Sequence, residues 1–421
     1  MVLYDIFFIL FSIIYLPYLI LKGKAHRDFS QRFGKLPQAF KEASLSRPVW
    51  VHAVSVGEVL AAKNFVEKLT ATPEGVKVVL STTTKTGNAV AQNVLGKDIL
   101  KFYFPLDLSF AVRRAVDLIN PRLMVIMETE IWPNLILELS GRKIPIVLLN
   151  GRISNKSFEG YRRIKFLFGD IFKRIDMFSM QTDKDAERIK ALGAPEKNVI
   201  ITGSMKFDID LRENVTRSKS ELGIDESSLL IIAGSTHPGE EEVILGVYGK
   251  LAKEFQDLRL LIAPRHIDRV GSIKNLIEQK GFKAVALSEF IKRGRKNPVL
   301  GDTVLILDTL GELRHLYRLA TIVFMGGSLV RRGGHNLAEP AVFAKPILFG
   351  PHMFNFRDMA RSFLEDNAAI EVKNSKELFN TLKILVKEGD KRAVLGSNAK
   401  KLIEKNKGAT DRNICEVKKF I

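Results

Sequence analysis

The residue types with the clearest chemical potential lie in GGSLVRRGGHNLAEP, residues 326–340. Glycine fills four of the first nine positions, and His335, Asn336 and Glu339 come next. Glycine lets a ligand approach the backbone, and a helix beginning near Asn336 would direct free N–H groups toward an anion. Glu339 is a poor phosphate ligand but a good acceptor for ribose hydroxyls. We favour a nucleotide site over an ordinary strand-to-helix turn, because two other segments in the same half of the chain carry residues that suit a nucleotide.

Two of these segments lie in the same half of the chain. Pro264 and Arg265 belong to PRH, where the planar guanidinium of Arg265 would supply a forked, permanently charged contact to a phosphate. Glu312 ends TLGE, but the spacing Thr309-x-x-Glu312 also fits a helix capping box. The backbone of TLGE can therefore bind a ligand even where the carboxylate only caps a helix.

The first half of the chain offers candidate acid–base groups. Glu58 would lie at the tip of a strand, as a general base must, although Ser55-x-x-Glu58 also fits a capping box. Glu128 and Glu130 follow another strand and would share a face if that strand continued. Two like charges there require cation partners or raised pKa values. Lys206 is a candidate counter-charge for a phosphate or carboxylate, with solvated surface as the alternative.

Short apolar runs alternate with helix-length segments along the chain. Near-continuous runs of Val, Ile and Leu are typical of parallel strands that are covered by helices on both faces. Two series of runs predict two doubly wound α/β domains, with the polar segment 206–223 as their linker. Such sheets bind ligands beyond the carboxyl ends of their strands, where the residues above fall. The first series is RPVWVHAVS, VKVVLST, ILKFYF, RLMVIME, IPIVLLN, DMFSMQ and NVIIT, and the second is LLIIAGS, RLLIAP, KAVAL, TVLILD, TIVFMG, PILFG and AAIEV.

Composition excludes several classes of protein. A chain of 421 residues is too long for one core, and Cys415, the single cysteine, excludes disulfides and thiolate metal clusters. The formal net charge of +18 predicts a polyanionic partner. Neither a helix-turn-helix nor an interleaved aromatic and basic pattern supports a nucleic acid in that role. The chain has no H-E-x-x-H, P-loop or G-x-G-x-x-G motif, so a bound metal, an NTPase and a dehydrogenase are not predicted.

The first 21 residues, MVLYDIFFILFSIIYLPYLIL, carry one charge, Asp5, and precede a basic cluster. They lack the basic start and the cleavage site of a secretory signal. Their length matches a membrane-spanning helix, and the basic flank predicts that the following chain faces the cytoplasm. We expect a membrane anchor over residues 1–21, beside an anionic leaflet, with a buried core helix as the alternative. The basic and apolar segment 161–176 could also face lipid, or pack on its own sheet.

With these motifs in place, the chain resembles the 3-deoxy-D-manno-octulosonic acid (Kdo) transferases of lipopolysaccharide synthesis. The resemblance implies a GT-B glycosyltransferase fold with two Rossmann-like domains facing a cleft, and an anchor in the inner membrane. It also implies CMP-Kdo as donor, the lipid A precursor lipid IVA as acceptor, inversion at the anomeric carbon, and no metal or other cofactor. It covers the whole chain, and its motifs follow the family's order: SVGE, ETEIWPN, NGRIS, GSMKFD, STHPGEE, PRH, DTLGEL, FMGGSLVRRGGHN and GPHMFNF.

The resemblance further assigns roles and domain bounds. The base of the family matches Glu58, and the charge-stabilising pair matches Glu128 and Lys206. The donor-site positions match Pro264, Arg265, Leu310, Gly311, Glu312, Asn336, Leu337, Ala338 and Glu339. The expected domains are the anchor 1–21, an acceptor domain over 22–205, a donor domain over 206–404, and a C-terminal helix over 405–421 that returns to the acceptor domain.

One position departs from the family's pattern. Gln31 in SQRFG stands where the family has Glu before R-[FYW]-G. An amide cannot accept a proton, so a base at this position would leave the chain nearly inactive. We take Glu58 as the base and keep position 31 as the alternative. For the whole function, the alternative is a GT-B transferase that uses a UDP-sugar and a lipid acceptor.

Overall fold

The computed structural model describes residues 4–5, 29–73, 75–163, 170–208, 217–292 and 299–421. The chain divides into two compact units, Met1–Asp208 with Asn406–Ile421, and Ile209–Lys405. Lys206 therefore belongs to the first unit, whereas the second domain was expected to begin at residue 206. The reason is local, because Lys206 lies in a 3-10 helix, Met205–Phe207, and the side chain of Met205 is buried in the first core.

Seven parallel strands form the sheet of the first unit, and the seven apolar runs predicted for it are confirmed. In chain order they are β1 (Val49–His52), β2 (Val78–Thr82), β3 (Leu100–Tyr103), β4 (Leu123–Met127), β5 (Ile146–Gly151), β6 (Met177–Met180) and β7 (Val199–Ile201). Across the sheet their order is β3-β2-β1-β4-β5-β6-β7. The loops after β1 and β4 therefore diverge where the strand order reverses, which is where doubly wound sheets bind ligands. We call this place the first reversal point.

Helices cover both faces of this sheet because its strands are apolar on both faces. Trp50 of β1 packs in the core on one face, while Val49 and Val51 pack in the core on the other. The helices are α1 (Ala39–Ser44), α2 (Val56–Thr70), α3 (Lys85–Val94), α4 (Ser109–Ile119), α5 (Pro133–Gly141), α6 (Asn155–Arg163) and α7 (Asp183–Leu192).

The second unit repeats this architecture, and its seven predicted strands are also confirmed. They are β8 (Leu229–Thr236), β9 (Leu258–Pro264), β10 (Lys283–Ala286), β11 (Thr303–Ile306), β12 (Ile322–Met325), β13 (Ile347–Phe349) and β14 (Ile370–Glu371). Their order is β10-β11-β9-β8-β12-β13-β14, all parallel. The second reversal point therefore lies between β8 and β12.

The remaining helices alternate with the strands as far as β14, after which three helices follow one another. The last of them packs in the first unit and buries Ala409, Thr410, Asn413 and Val417. In chain order they are α8 (Glu240–Glu254), α9 (Val270–Gln279), α10 (Leu287–Lys292), α11 (Leu313–Leu316), α12 (Ala338–Ala341), α13 (Arg357–Glu365), α14 (Ser375–Lys387), α15 (Gly389–Asn406) and α16 (Ala409–Val417).

Polar contacts fix the C-terminal residues to the first unit. The Asp208 carboxylate accepts hydrogen bonds from the backbone N–H groups of Gly408 (2.8 Å) and Thr410 (2.5 Å), at the start of α16. The Arg412 side chain donates to the carbonyl oxygen of Thr202 (2.6 Å). Asp208 therefore acts as a cap supplied from outside the helix, satisfying N–H groups that a helix start leaves without partners.

The predicted membrane anchor, and with it the placement at the cytoplasmic face of an inner membrane, is corrected by the structure. Within the described part of the chain, no helix is both long enough and apolar enough to cross a bilayer. Of residues 1–21 only Tyr4 and Asp5 are described, and the others lie outside the described residues. Asp5, the one charge of the segment, accepts hydrogen bonds from Ser109 N (3.1 Å) and Asn134 Nδ2 (2.6 Å) of the first unit.

The described apolar residues of the segment 161–176 pack on its own sheet. Ile171, Phe172 and Ile175 are buried in the core of the first unit, and Tyr161 packs against that core. Residues 164–169 lie outside the described residues. The described apolar residues of this segment therefore belong to the core, which supports the second of the two alternatives.

Replacing Asp208 with Ala should destabilise the first unit by about 1–2 kcal/mol, because two N–H groups at the start of α16 lose their acceptor. Urea unfolding measures the loss. Asp411→Ala is the matched control, since Asp411 lies in the first turn of the same helix but is 67% exposed and pairs only at the surface with Lys68. Its loss should stay below about 1 kcal/mol. Equal losses in the two variants would contradict the capping role.

Candidate active site

Glu58 lies in the first turn of α2, directly beyond the carboxyl end of β1. Its carboxylate oxygens accept hydrogen bonds from Ser55 Oγ (2.8 Å) and from Val54 N (2.7 Å), and the residue is 6% exposed. The predicted capping box is present in part. Glu58 reaches back to the residues that precede the helix, but the Ser55 hydroxyl donates to Glu58 and caps no helix N–H.

Three carboxyl groups influence one another at the first reversal point. Burial raises the pKa of Glu58 to about 8, and the charges of Glu128 and Glu130 contribute to this shift. Burial, together with the charge of Glu128, raises the pKa of Glu130 to about 7. The like charges expected from the sequence therefore do lie close together, and raised pKa values are part of the way in which the fold accommodates them.

The third carboxyl group has a cation partner. Lys206 Nζ lies 2.5 Å from Glu128 Oε1, so the structure brings together two residues that are far apart in the chain. β4 ends at Met127, and Glu128 has a φ of 58°, in the left-handed region that non-glycine residues rarely adopt. The strand therefore ends before Glu128 and Glu130. The two side chains do not share a strand face, because that required the strand to continue. Such strain is often found at functional sites.

Gln31 also lies at the carboxyl edge of the first sheet, in the 3-10 helix Phe29–Phe33. Its side-chain oxygen accepts a hydrogen bond from the N–H of Tyr103, the last residue of β3, at 2.8 Å. The neighbouring Arg32 donates to the carbonyl oxygens of Phe104 (2.9 Å) and Thr83. Position 31 is thus held by backbone contacts at the ends of β2 and β3, and its contact needs only an acceptor.

In the second unit, Glu240 lies at the second reversal point. It is the first residue of α8 and is fully buried. Its carboxylate accepts four backbone hydrogen bonds, from Gly327 (2.6 Å), Ser328 (3.0 Å), Leu329 (2.9 Å) and His237 (3.0 Å). Burial raises the pKa of Glu240, and these N–H donors oppose that shift.

Glu240 lies in the motif STHPGEE, and no role is predicted for it from the sequence. Acidic residues are common in the first turn of a helix, because they interact favourably with the helix dipole. The next two residues of α8 are also glutamates, and residue type alone does not separate the three. The available signal was position, since Glu240 follows the strand that begins the second sheet.

Three histidines gather around the same point. The Nε2 atoms of His237 and His335 are 3.2 Å apart, with their rings nearly parallel, and the ring of His266 lies 5.9 Å from that of His237. Burial, then Arg332, lowers the pKa of His237 to about 4, and burial, then Arg265, lowers that of His335 to about 3. Both rings are therefore neutral at pH 7, and one Nε2–H donates to the other. Among the described residues, no group of three or more His, Cys, Asp or Glu is arranged to hold a metal ion.

The helix predicted near Asn336 begins at Ala338, and it is short. The Asn336 side-chain oxygen accepts a hydrogen bond from Ala338 N (3.1 Å), so one N–H group expected to face an anion already has a partner. Burial raises the pKa of Glu339 to about 6, and the charges of Arg314 and Arg265 oppose that shift. Glu339 and Arg265 therefore lie close enough to interact, as a shared ligand site requires.

Two other candidates of this region have buried side chains. Leu337 and Ala338 are fully buried, so only their backbone groups can meet a ligand. Pro264 is the last residue of β9, and the N–H of Arg265 donates to the carbonyl oxygen of Thr236 at 3.0 Å. That bond anchors the backbone of Arg265, whose side chain is exposed.

The geometry of the segment TLGE differs from that of the capping box that its spacing fits. α11 begins at Leu313, so Glu312 directly precedes the helix and Thr309 is not its N-cap. Glu312 accepts a hydrogen bond from Thr309 Oγ1 (2.8 Å) and pairs with Arg217 (2.6 Å). Leu310 is 81% exposed, and Gly311 has a φ of 84°. Leu310 and Gly311 therefore form an exposed turn beside a carboxylate that is already paired.

Two doubly wound parallel domains, each with polar residues at its reversal point, have the architecture of GT-B glycosyltransferases. The solved structure of the glycotransferase of kitacinnamycin is similar, with a TM-score of 0.52 and 14% sequence identity. The match covers 89% of this chain and 100% of that one. At this identity the likeness shows the fold, which agrees with the class predicted from the sequence.

Similarity of sequence shows the family. Residues 27–209 match the family described as 3-Deoxy-D-manno-octulosonic-acid transferase (kdotransferase). The 3-deoxy-D-manno-octulosonic acid transferase of Haemophilus influenzae is 32% identical over 93% of this chain and 92% of its own. The enzyme of that name from Rickettsia typhi is 33% identical over 89% of this chain and 79% of its own. The chain therefore belongs to the 3-deoxy-D-manno-octulosonic acid transferase family and is a glycosyltransferase.

The raised pKa of Glu58 predicts how stability depends on pH. The folded state holds a proton on Glu58 up to about pH 8, whereas an unperturbed Glu releases it near 4.5. Stability from this group is therefore fully present below pH 4.5 and is lost as pH rises through 8. Each unit of pKa difference is worth about 1.4 kcal/mol, so the loss is on the order of a few kcal/mol. The free energy of unfolding, measured with urea at pH 5, 6.5 and 8, should fall with rising pH clearly less in Glu58→Gln than in the parent protein. An unchanged slope would contradict the assignment.

Proposed function

We propose that this protein transfers Kdo from CMP-Kdo to a lipid A precursor of the lipid IVA type, with inversion at the anomeric carbon and without a metal. Family membership supports the transferred sugar. The observation that carries the donor assignment is the grouping of Arg265, His335 and Glu339 at the second reversal point. Incubation with CMP-Kdo and tetraacyl lipid A precursor, with the product read by mass, tests the proposal. A lipid that gains no Kdo would contradict it.

In the proposed donor site, the nucleotide lies at the carboxyl edge of the second sheet. The exposed guanidinium of Arg265 would bind the phosphate of CMP, and the carboxylate of Glu339 would accept hydrogen bonds from the ribose hydroxyls. Pro264, Leu310, Gly311 and the chain from Asn336 to Ala338 would contribute backbone groups. Glu312 would orient its turn through the contact with Thr309 rather than bind the ligand.

For the proton, we propose Glu58 as the general base. A base is most effective when its pKa lies near the working pH, and a pKa of about 8 meets that condition. Glu58 would accept the proton of the acceptor hydroxyl as the oxygen attacks the anomeric carbon. A rate that rises with pH toward 8 would follow, because only the ionised carboxylate can act as a base.

The pair Glu128 and Lys206 would stabilise charge in the first unit. Their contact of 2.5 Å places an ammonium group on Glu128, the residue whose charge acts on both Glu58 and Glu130. In the second unit, Arg265 would stabilise the charge that develops on the departing CMP. Both effects act on the transition state and need no metal.

The variants Arg265→Ala and Glu339→Ala should bind CMP about tenfold to a hundredfold more weakly, since a hydrogen bond to a charged group is worth about 1.5–3 kcal/mol. Isothermal titration with CMP measures the loss, and circular dichroism checks the fold. Arg361→Ala and Glu365→Ala on α13 are matched controls, because both residues are exposed and have no proposed role at the site.

Unchanged affinity in both test variants would remove the loop after β12 from the donor site. UMP and UDP are titrated into the parent protein in parallel. Tighter binding of UDP than of CMP would favour the alternative of a UDP-sugar donor. The site would then recognise uracil and two phosphates better than cytosine and one phosphate.

Glu58→Gln should abolish turnover while CMP binding stays within twofold of the parent. The amide preserves the shape of the side chain and removes its ability to accept a proton. Positioned general bases contribute about 10²–10⁴-fold, so the loss is easily measured with CMP-Kdo and lipid acceptor. The acid limb of the rate profile, with an apparent pKa near 8, should disappear from the residual activity.

The variant Gln31→Glu decides between the two positions for the base. A carboxylate at position 31 can keep the contact with Tyr103 N, since that contact needs only an acceptor, so the variant should fold. Gln31→Ala controls for loss of the contact. If Gln31→Glu raises activity by orders of magnitude while Glu58→Gln costs little, the base belongs at position 31 and Glu58 is a capping residue.

A further inference from the structure

The loop that follows β12 contains an anion site that the protein itself fills. Three successive N–H groups, those of Gly327, Ser328 and Leu329, point at one carboxylate, that of Glu240. Gly327 has a φ of 67°, in the left-handed region, and converging N–H groups of this kind form nests that bind anions. In this fold the anion in the nest is a side chain.

The hydrogen bonds also show the ionisation state of that side chain. Each oxygen of Glu240 accepts two N–H groups, Gly327 and His237 on one, Ser328 and Leu329 on the other. A protonated carboxyl group would direct its own O–H at one of these donors, so the arrangement requires a carboxylate. Because Glu240 is fully buried, water does not compete for these bonds.

This single carboxylate joins the two loops of the second reversal point. His237 lies in the loop after β8, and the other three donors lie in the loop after β12. Gly334 N donates to the carbonyl oxygen of Gly327 at 2.8 Å, which closes residues 327–334 into a ring. His335 follows directly and pairs with His237 at 3.2 Å. The nest and these two contacts together therefore fix the chain that leads into Asn336–Glu339.

We propose that Glu240 is a positioning residue of the donor site, whose carboxylate permanently fills the nest at residues 327–329 and thereby sets the position of residues 335–339. The phosphate of the donor is then excluded from the nest and left to Arg265 and to the backbone beyond His335. This inference rests on the proposed donor site. It assigns to Glu240 no contact with the substrate.

The primary test is Glu240→Gln, which retains the size of the side chain but puts an NH2 group against two N–H donors. CMP affinity by isothermal titration should fall about tenfold or more. The KM for CMP-Kdo should rise by a similar factor, with kcat changed less. Peptides covering 326–337 should lose hydrogen-exchange protection while the strands of the second unit keep theirs. Glu242→Gln is the matched control, since Glu242 lies in the same turn of α8 and is exposed, and it should match the parent.

A second variant tests the nest directly. Glu240→Ala leaves the N–H groups of 327–329 without an anion, so sodium formate, a free carboxylate of the right chemistry, should restore CMP affinity and exchange protection. Sodium chloride at the same ionic strength should not. If Glu240→Gln fails to fold, Glu240→Asp takes its place, because it keeps the charge and is one methylene too short to reach all four donors.

Three results would overturn the inference. One is CMP affinity in Glu240→Gln within twofold of the parent, with residues 326–337 still protected. Another is a lowered melting temperature with unchanged CMP affinity of the folded protein, which would make Glu240 merely structural. The third is an absence of rescue by formate. A parent protein that fails to bind CMP would instead contradict the proposed function, and hydrogen exchange would still show whether Glu240 holds the loop.

Discussion

The reversal of strand order beside β1 and β8 is the constraint on which both candidate sites depend. All strands of each sheet are parallel, so every strand presents its carboxyl end at the same edge. In each sheet, successive strands are added first on one side of the starting strand and then on its other side. The loops at this point lead to opposite sides and leave a crevice between them. Glu58 and Glu128 come to one such point, and Glu240 and His335 to the other, although each pair is far apart in sequence.

Burial of a carboxyl group is costly, and the fold meets that cost in three ways. Glu58 holds a proton up to about pH 8, which removes its charge over much of the neutral range. Glu128 pairs with the ammonium group of Lys206 at 2.5 Å. Glu240 is surrounded by four backbone N–H donors, which makes it part of the loop structure. The same residue type thus suits proton transfer, charge balance or positioning, according to its neighbours.

Local structure could be predicted from the sequence, whereas contacts between distant side chains could not. Every predicted strand is present, because an apolar run flanked by turn residues has few alternatives to a buried strand. The four-residue spacing of a capping box did not specify one geometry, since it produced a partial box at Glu58 and a different arrangement at Glu312. The anchor expected over residues 1–21 is not found among the described residues, and the polar contacts of Asp5 with Ser109 and Asn134 are not visible in a hydropathy pattern.

The sequence by itself determined the fold class, the family and the segments that are proposed to bind a ligand, because these follow from local periodicity and from motifs that are contiguous in the chain. Tertiary structure alone decided the state of each polar group. Whether Glu58 is ionised, whether Lys206 belongs to the first unit and which carboxylate fills the nest at residues 327–329 all depend on atoms contributed by distant segments. Desolvation and hydrogen bonding act through space over a few ångströms, so no local pattern of residues can specify them.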